Sequence, residues 1–567
     1  MWSFFKLSLV LRLVVFTSAD PALPSILGRS GPISLPLGLV HSFETRDAAN
    51  STVNHSGLIP VTASSNRQQS YFAVIQLGQI NFRFALDTAS SDLWVVSSDC
   101  TTQACSHVPR YPLSYQSPTF VPVNGNSTSF TAKYADGTAA SGFVARETIH
   151  LSNLTVANQA FGMIQDSNVT MTDETSGIMG LGFPRLSSMD SSVTNSTPFF
   201  AALAQQGLVD YPIFGLSLTR NASGSLSIGA VDSSVVNNVS LINWNNVAEF
   251  SPFGVESNVS SFLQWAIPIS GIGVNGTQIT PIPTYGNFTQ NNSLALFDIG
   301  AAGVYGPYQD VSRLYSLIEG ARLVDTDGQW AIPCDYVSPM TFTFGQQNYT
   351  LQPSDYIIGP ASGTPNLCLT WPMAAAPSAD GIDWQIGAAF LRTVYSVYSF
   401  GINRKEAPMI GLYPLQNTTS VLDTPSAVSS ILSSLSATVT TTLPNFPLST
   451  PMYTTPAYAF NTSVPAQVGG IVSSGLATST YSPIIQHSAT NVSVLPTISP
   501  SPTVFTFFVT DASGLTHTST STHSVPSVVL GIPPGWSAGS VVRKSLFASA
   551  VPGVLIWTLA LITDIFM

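Results

Sequence analysis

The sequence predicts a mainly β protein whose central part is made of two similar lobes. Three observations point there. Between residues 66 and 416, short runs rich in Val, Ile, Phe and Tyr recur, separated by Gly, Asn and Pro; this is the pattern of strands and turns. Within that stretch one plan occurs twice. FALDTASSDLWV (84–95) and LALFDIGAAGVYGP (294–307) each run from an apolar strand into an Asp, a turn of small residues and another apolar segment. Beyond residue 417 the composition changes to Ser and Thr. The 567 residues of the chain also exceed what one core holds, at roughly 150 residues per domain.

Residues 1–19 carry an early cation (Lys6), an apolar run from Leu7 to Phe16 interrupted by Arg12, and small residues at Thr17, Ser18 and Ala19. That is the make-up of a secretory signal peptide cut before Asp20. Residues 20–65 are then expected to be a propeptide or N-terminal extension, with PISLPLGLV (32–40) as a strand-like run and no dibasic processing site. The charge pattern fits a secreted chain. Charged residues make up 8%, against about 25% in soluble proteins. Sixteen Asn-x-Ser/Thr acceptors, among them Asn50, Asn126, Asn153, Asn195, Asn275 and Asn348, would bring sugars to this weakly charged exterior. With 18 Lys and Arg against 29 Asp and Glu, the net charge is −11, so the basic face that nucleic acid requires is missing. Four cysteines exclude a disulfide-dense scaffold and allow two bridges.

The β-patterned body is too large for one sheet, and two lobes are expected, residues 66–232 and 233–416. Helical candidates are few: Pro198–Gln206 and Tyr308–Gly320. Each half follows its Asp with a further apolar-Gly segment, SGIMGLGF (176–183) and WQIGAAFL (384–391). Two similar halves, each giving one carboxylate, Asp87 and Asp298, suggest a site at a pseudo-twofold interface. Two Asp held close share a proton, and their pKa values split apart. One can take a proton from a water while the other hydrogen-bonds a substrate carbonyl, so that a tetrahedral diol forms and collapses without metal or covalent intermediate. Small residues after each Asp let the backbone turn tightly. The seven His residues show no ligand spacing, so neither metal nor cofactor is expected. GIGVNG (271–276) fits a dinucleotide fingerprint, but TQITPIPTYG follows it. Its prolines argue against the helix that reading needs, and a β-hairpin turn is predicted instead.

From Thr418 to Gly535, 44 of 118 residues are Ser or Thr, and the charged ones are Asp423 and Asp511. Residues 417–540 therefore read as an O-glycosylated stalk with little core, PTVFTFFVT (502–510) being a candidate for a small β unit. At the far end, Ser537, Ala538, Gly539 and Ser540 precede a spacer with Arg543 and Lys544 and an apolar tail. Residues 541–567 are expected to be a signal exchanged for a GPI lipid, with Ser537, Gly539 and Ser540 as candidate attachment points. A spanning helix would leave the basic pair outside, against the positive-inside bias.

Taken in order, YFAVIQLGQINFRFALDTASSDLWVVS (71–97), KYADGTAASG (133–142), SGIMGLGF, LALFDIGAAGVYGP and WQIGAAFLRTVYSVYSF (384–400) resemble the pepsin-like (A1-type) aspartic proteases over residues 66–416. With leader, stalk and tail added, the architecture resembles the fungal GPI-anchored, yapsin-type endopeptidases. The resemblance implies a bilobal, pseudo-twofold fold with a cleft between the lobes and Asp87 and Asp298 as catalytic dyad. Thr88, Ser90 and Gly300 would support the dyad. Tyr134 would be the flap tyrosine, Asp136 and Gly137 would line the flap, and Trp94 would support it. Disulfides Cys100–Cys105 and Cys334–Cys368 are implied, one per lobe. The implied activity is hydrolysis of extended peptides or proteins by a monomer at the cell surface or wall, held to the membrane by its lipid and in reach of wall polysaccharide.

Departures from the family pattern of Asp-Thr-Gly-Ser/Thr set a second expectation. The first turn reads Asp87-Thr88-Ala89-Ser90, the second Asp298-Ile299-Gly300-Ala301. Ile299 has no hydroxyl for the crossed hydrogen-bond pair between lobes. Ala301 has none to stabilise an ionised Asp298, and losing such a donor raises a carboxyl pKa. Ala388 stands where many members carry Asp. A less acidic pH optimum than pepsin's, or weak activity, is predicted. The alternative is a catalytically impaired surface protein that binds peptides or wall components without cleavage.

Overall fold

The repeated Asp plan can be followed strand by strand in the computed structural model. It describes residues 55–536 apart from 64–69, 173, 190–192, 194–195, 220–223, 251–261, 403–404, 416–422, 435–438, 440, 450, 460–480, 486–491, 501–503, 511–515 and 523–527. The signal peptide, PISLPLGLV, Asn50, Asn195, Ser537, Gly539 and Ser540 lie outside the described residues.

In the first lobe, strands Tyr71–Leu77 and Ile80–Asp87 form an antiparallel hairpin closed between Leu77 and Ile80. Alternation in INFRFALD buries Ile80, Phe82, Phe84 and Leu86 on one face, as a half-buried strand requires. Ile80–Asp87 then pairs in parallel with Thr175–Gly180, which pairs antiparallel with Leu93–Val96. So the SGIMG strand is threaded between the strand that enters the Asp turn and the strand that leaves it. The second lobe repeats this. Ser293–Phe297 runs parallel to Trp384–Ile386, which is antiparallel to Val304–Pro307.

A 14-stranded sheet and an 8-stranded sheet carry most of the body. The larger one joins the lobes, because Ile213–Ser217 pairs antiparallel with Val394–Ser399. Aromatic rings fill this junction. Trp265 lies 4.3 Å from Phe183 and 4.8 Å from Phe400, centroid to centroid, and its indole N–H donates to the Leu181 carbonyl at 3.0 Å. Offset aromatic contacts add to the area they bury.

The expected helices form as Phe199–Gln205 and Tyr308–Tyr315. The second stops short of Gly320 and continues as turns, with Gly320 at φ +79°. GIGVNG is a hairpin: Ala266–Val274 returns as Thr277–Ile279. Asn275 and Gly276 at its tip have φ of +50° and +75°, as a tight two-residue hairpin turn demands. Both disulfides, Cys100–Cys105 and Cys334–Cys368, are formed.

The flanking segments are more engaged with the body than their composition suggests. Gly57–Ala63, inside the expected extension 20–65, is a strand paired with Gly224–Ile228 and with the start of Tyr71–Leu77. Described parts of 417–540 return to the body as well. Helix Pro425–Ser434 buries Val428. Thr497–Ile498 pairs in parallel with Val231–Asp232. Ile485, Val492 and Leu495 are buried with Tyr211 and Ile213 of the first lobe and Tyr395, Val397 and Met409 of the second. Glu406 Oε2 accepts from Tyr211 Oη and from the amides of Ile484 and Ile485 at 2.6, 2.9 and 2.8 Å. Apolar residues too sparse to set a periodicity of their own are therefore enough to lay this segment over the seam between the lobes. Val504–Thr510 and Thr516–Thr522 pair as a hairpin.

Candidate active site

Each Asp stands at the end of a buried strand, where the chain turns sharply around the strand threaded beside it. Asp87 and Asp298 are 8% and 5% exposed, and the two carboxyl groups lie close enough to interact. Their inner oxygens face each other across Gly300: a Cβ on that glycine would lie 3.1 Å from Oδ1 of both. A side chain there would crowd the dyad, which accounts for glycine at this position.

The donors around the two carboxylates mirror each other. Inner oxygens receive backbone N–H groups two residues on: Ala89 N to Asp87 Oδ1 at 2.9 Å and Gly300 N to Asp298 Oδ1 at 2.8 Å. The Ala89 methyl thus leaves this donation intact. The outer oxygens differ in their source. Ser90 Oγ donates to Asp87 Oδ2 at 2.5 Å. At the second site Ala301 offers nothing, and Gln385 Nε2 donates to Asp298 Oδ2 at 2.6 Å. Reading the sequence did not single out Gln385. A signal was there: Gln385 stands two residues before Gly387 in WQIG, as the apolar Ile178 stands two before Gly180 in SGIMG.

The crossed hydroxyl pair between lobes is one-sided. Thr88 Oγ1 donates to the Phe297 carbonyl at 2.8 Å and accepts from Ile299 N at 3.0 Å. Ile299 is fully buried apolar side chain. Ala388 is likewise buried in the core, so the chain keeps no acid at that point.

Over the first site lies a hairpin, Ser129–Lys133 with Ala139–Leu151. Its tip is closed by Tyr134 N to the Thr138 carbonyl at 2.9 Å, with Gly137 at φ +83°. Asp136 Oδ1 accepts from Thr138 N and Oγ1 at 2.9 and 2.7 Å, and Asp136 and Gly137 are exposed. These two residues shape the turn. Trp94 is fully buried and its Nε1 donates to Tyr134 Oη at 2.7 Å, which fixes the half-buried tyrosine.

Burial raises the Asp87 carboxyl pKa, opposed by donors from Ser90, Ala89 and the partner acid. Burial, then the Asp87 charge, raises that of Asp298, opposed by Gln385 and Gly300. With both groups buried and the two charges repelling, the pair keeps one proton between them above the ordinary Asp range. Burial also raises the pKa of Tyr134, with Asp87 among the charges that reach it, so its hydroxyl stays a neutral donor or acceptor. Among the described residues no cluster of His, Cys, Asp and Glu fits a metal ion, and no helix is long and apolar enough to cross a membrane. Of the candidate sugar acceptors, Asn126, Asn153, Asn275 and Asn348 are exposed.

Comparison with known proteins agrees with this geometry. Residues 70–407 match the family model described as eukaryotic aspartyl protease. An aspartic protease of Phaffia rhodozyma is 30% identical over 334 residues, 58% of this chain and 73% of that one. Cathepsin E of Mus musculus is 30% identical over 361 residues, 61% of this chain and 80% of that protein. An aspartic-type endopeptidase of Aspergillus fumigatus is 28% identical over 352 residues, covering 61% and 67%. With both lobes, both Asp turns and the hairpin that carries Tyr134 inside the matched span, the chain belongs to the pepsin-like eukaryotic aspartyl protease family.

Proposed function

We propose that this chain is an active aspartic endopeptidase with Asp87 and Asp298 as its dyad. The observation that carries the reading is the pair of buried, hydrogen-bonded carboxyl groups with donors on all four oxygens. In this reading Asp87 is the ionised partner and takes a proton from a water held between the two groups. Asp298 gives its proton to the scissile carbonyl oxygen as the water attacks carbon. The tetrahedral diol then collapses: the proton now on Asp87 goes to the leaving nitrogen, the C–N bond breaks, and one diol hydroxyl returns its proton to Asp298, which restores the starting pair. An extended peptide would lie between the lobes, under Tyr134. The leader at 1–19, the acceptor asparagines and the tail at 541–567 support a secreted, glycosylated, lipid-anchored form at the cell surface or wall.

The test is digestion of a peptide library by the purified full chain across pH 3–7, beside Asp298→Asn. Cleavage that disappears in the variant is expected. A folded chain, freed of any propeptide, that cuts nothing at any pH would replace this reading with that of a surface protein that binds peptides or wall components without cleaving.

A further inference from the structure

We infer that Gln385 is a positioning residue of the dyad, supplying from the threaded strand of the second lobe the outer-oxygen donor that the second Asp turn has lost. This rests on the protease reading above. The two turns are related by the pseudo-twofold, and position 301 stands to Asp298 as Ser90 stands to Asp87, three residues on. Ser90 meets the outer oxygen of its own Asp. Ala301 has no hydroxyl, and the Gln385 amide reaches the equivalent oxygen, Asp298 Oδ2, at 2.6 Å.

The backbone explains how a residue 87 positions away arrives there. Trp384–Ile386 lies between the two strands flanking the Asp turn, with Gln385 opposite Leu296 on one side and Tyr305 on the other. Its neighbours Trp384 and Ile386 point into the core and are fully buried. Strand alternation therefore turns Gln385 to the other face, the face on which the carboxyl of Asp298 lies. The first lobe has Ile178 at the matching place, and there Ser90 makes a second donor unnecessary.

The chemical consequence differs from that of a hydroxyl. A serine hydroxyl can donate or accept, whereas an amide nitrogen only donates. With Nε2 turned to it, Gln385 holds Oδ2 as an acceptor. The proton of the dyad is left to the inner oxygen, toward Asp87 and the substrate carbonyl. A donor also favours the ionised carboxyl over the neutral one. Removing it raises the pKa at which the dyad loses its last proton.

The experiment uses the full chain, Gln385→Met, Ala301→Ser and the double variant. Methionine keeps length and volume while deleting the donor, and the site is part-exposed, so thermal melting should stay close to the parent's. Two readouts are taken across pH 3–8: kcat/KM on a cleaved peptide, and Kd for a statine-containing peptide, whose hydroxyl stands where the attacking water belongs. In Gln385→Met the alkaline limb of both profiles should move up by roughly half a pH unit or more, with a lower kcat. Ala301→Ser in that background should move it back. An unchanged limb in Gln385→Met would overturn the inference. So would a shift that Ala301→Ser leaves in place, since Gln385 would then act through packing. A parent that binds the statine peptide at no pH fails the protease reading itself, which is a separate result.

Discussion

The two Asp turns have the same backbone and different support. The first is self-contained: within four residues it provides the carboxylate, an inner-oxygen amide at Ala89, an outer-oxygen hydroxyl at Ser90 and the hydroxyl of Thr88 that reaches across to the other lobe. The second provides its carboxylate and the Gly300 amide. It borrows an outer donor from Gln385 and meets the Thr88 hydroxyl with backbone alone, the Phe297 carbonyl accepting and the Ile299 amide donating. A pseudo-twofold thus conserves positions of donors around the dyad more closely than the residues that supply them. Each of the four carboxyl oxygens has a donor, and a strand already threaded through the turn carries one of them.

The largest test of this comparison removes each carboxylate in turn. Asp87→Asn and Asp298→Asn should each lower kcat/KM by about 10³-fold or more, in the range of lost general acid–base catalysis. Losses of similar size mean that unequal scaffolds serve equal roles. A variant that keeps a tenth of the parent's rate would remove its residue from the dyad. Next in size is the seam on which both turns depend. Ending the chain at residue 416 strips Ile485, Val492 and Leu495 from a cluster shared by both lobes, where each buried side chain contributes about 1.5–3 kcal/mol. It also takes two amide donors from Glu406. Thermal unfolding should drop by several degrees or more; unchanged melting would show that the segment merely rests on the body.

A smaller effect separates the lobes directly. Thr88→Val deletes the interlobe hydroxyl and leaves the Ile299 amide and the Phe297 carbonyl without it, at a cost of about 1–3 kcal/mol. Ile299→Val removes one methylene from the matching position, at about 0.5–1.5 kcal/mol. Denaturant midpoints should therefore fall further for Thr88→Val. Equal midpoints would mean that the hydroxyl bonds contribute no more than the apolar contact opposite.

The same asymmetry decides what was legible in the sequence. Asp87, Asp298, Ser90, Tyr134 and Trp94 lie in local motifs, where short-range order carries the meaning, and the strand pattern around them follows from alternation. The departures at Ile299 and Ala301 could also be read. The compensation for Ala301 showed only as a polar residue in WQIG, because Gln385 is distant in sequence and meets Asp298 through sheet pairing; it gained significance once it lay opposite Tyr305 and Leu296. The tail was obscured for a different reason. Ile484, Ile485, Val492 and Leu495 are scattered among Ser and Thr, and they find their core in a groove that other strands build.

The smallest predicted effect is a slope of stability against pH, and it distinguishes the two carboxyls by their surroundings. Burial raises both pKa values, and the Asp87 charge raises that of Asp298 further. Between the ordinary Asp value and the raised one, the folded protein binds more protons than the unfolded chain. Stability then falls as pH rises through that window, since its slope follows the protons bound by the unfolded state minus those bound by the folded state. This contribution is fully present below the ordinary Asp range and lost as pH climbs through the raised pKa, opposite to a salt-bridged carboxylate. In Asp298→Asn, Asp87 keeps its burial, opposed by donors from Ser90 and Ala89, so the slope between pH 4 and 8 should shrink without vanishing. In Asp87→Asn, Asp298 keeps burial with Gln385 and Gly300 as its donors, and part of the slope should remain. Melting temperatures of the two variants across that range measure the difference. Parallel curves would mean that Ser90 and Gln385 hold their carboxylates equally well, so that the borrowed donor fully replaces the local one.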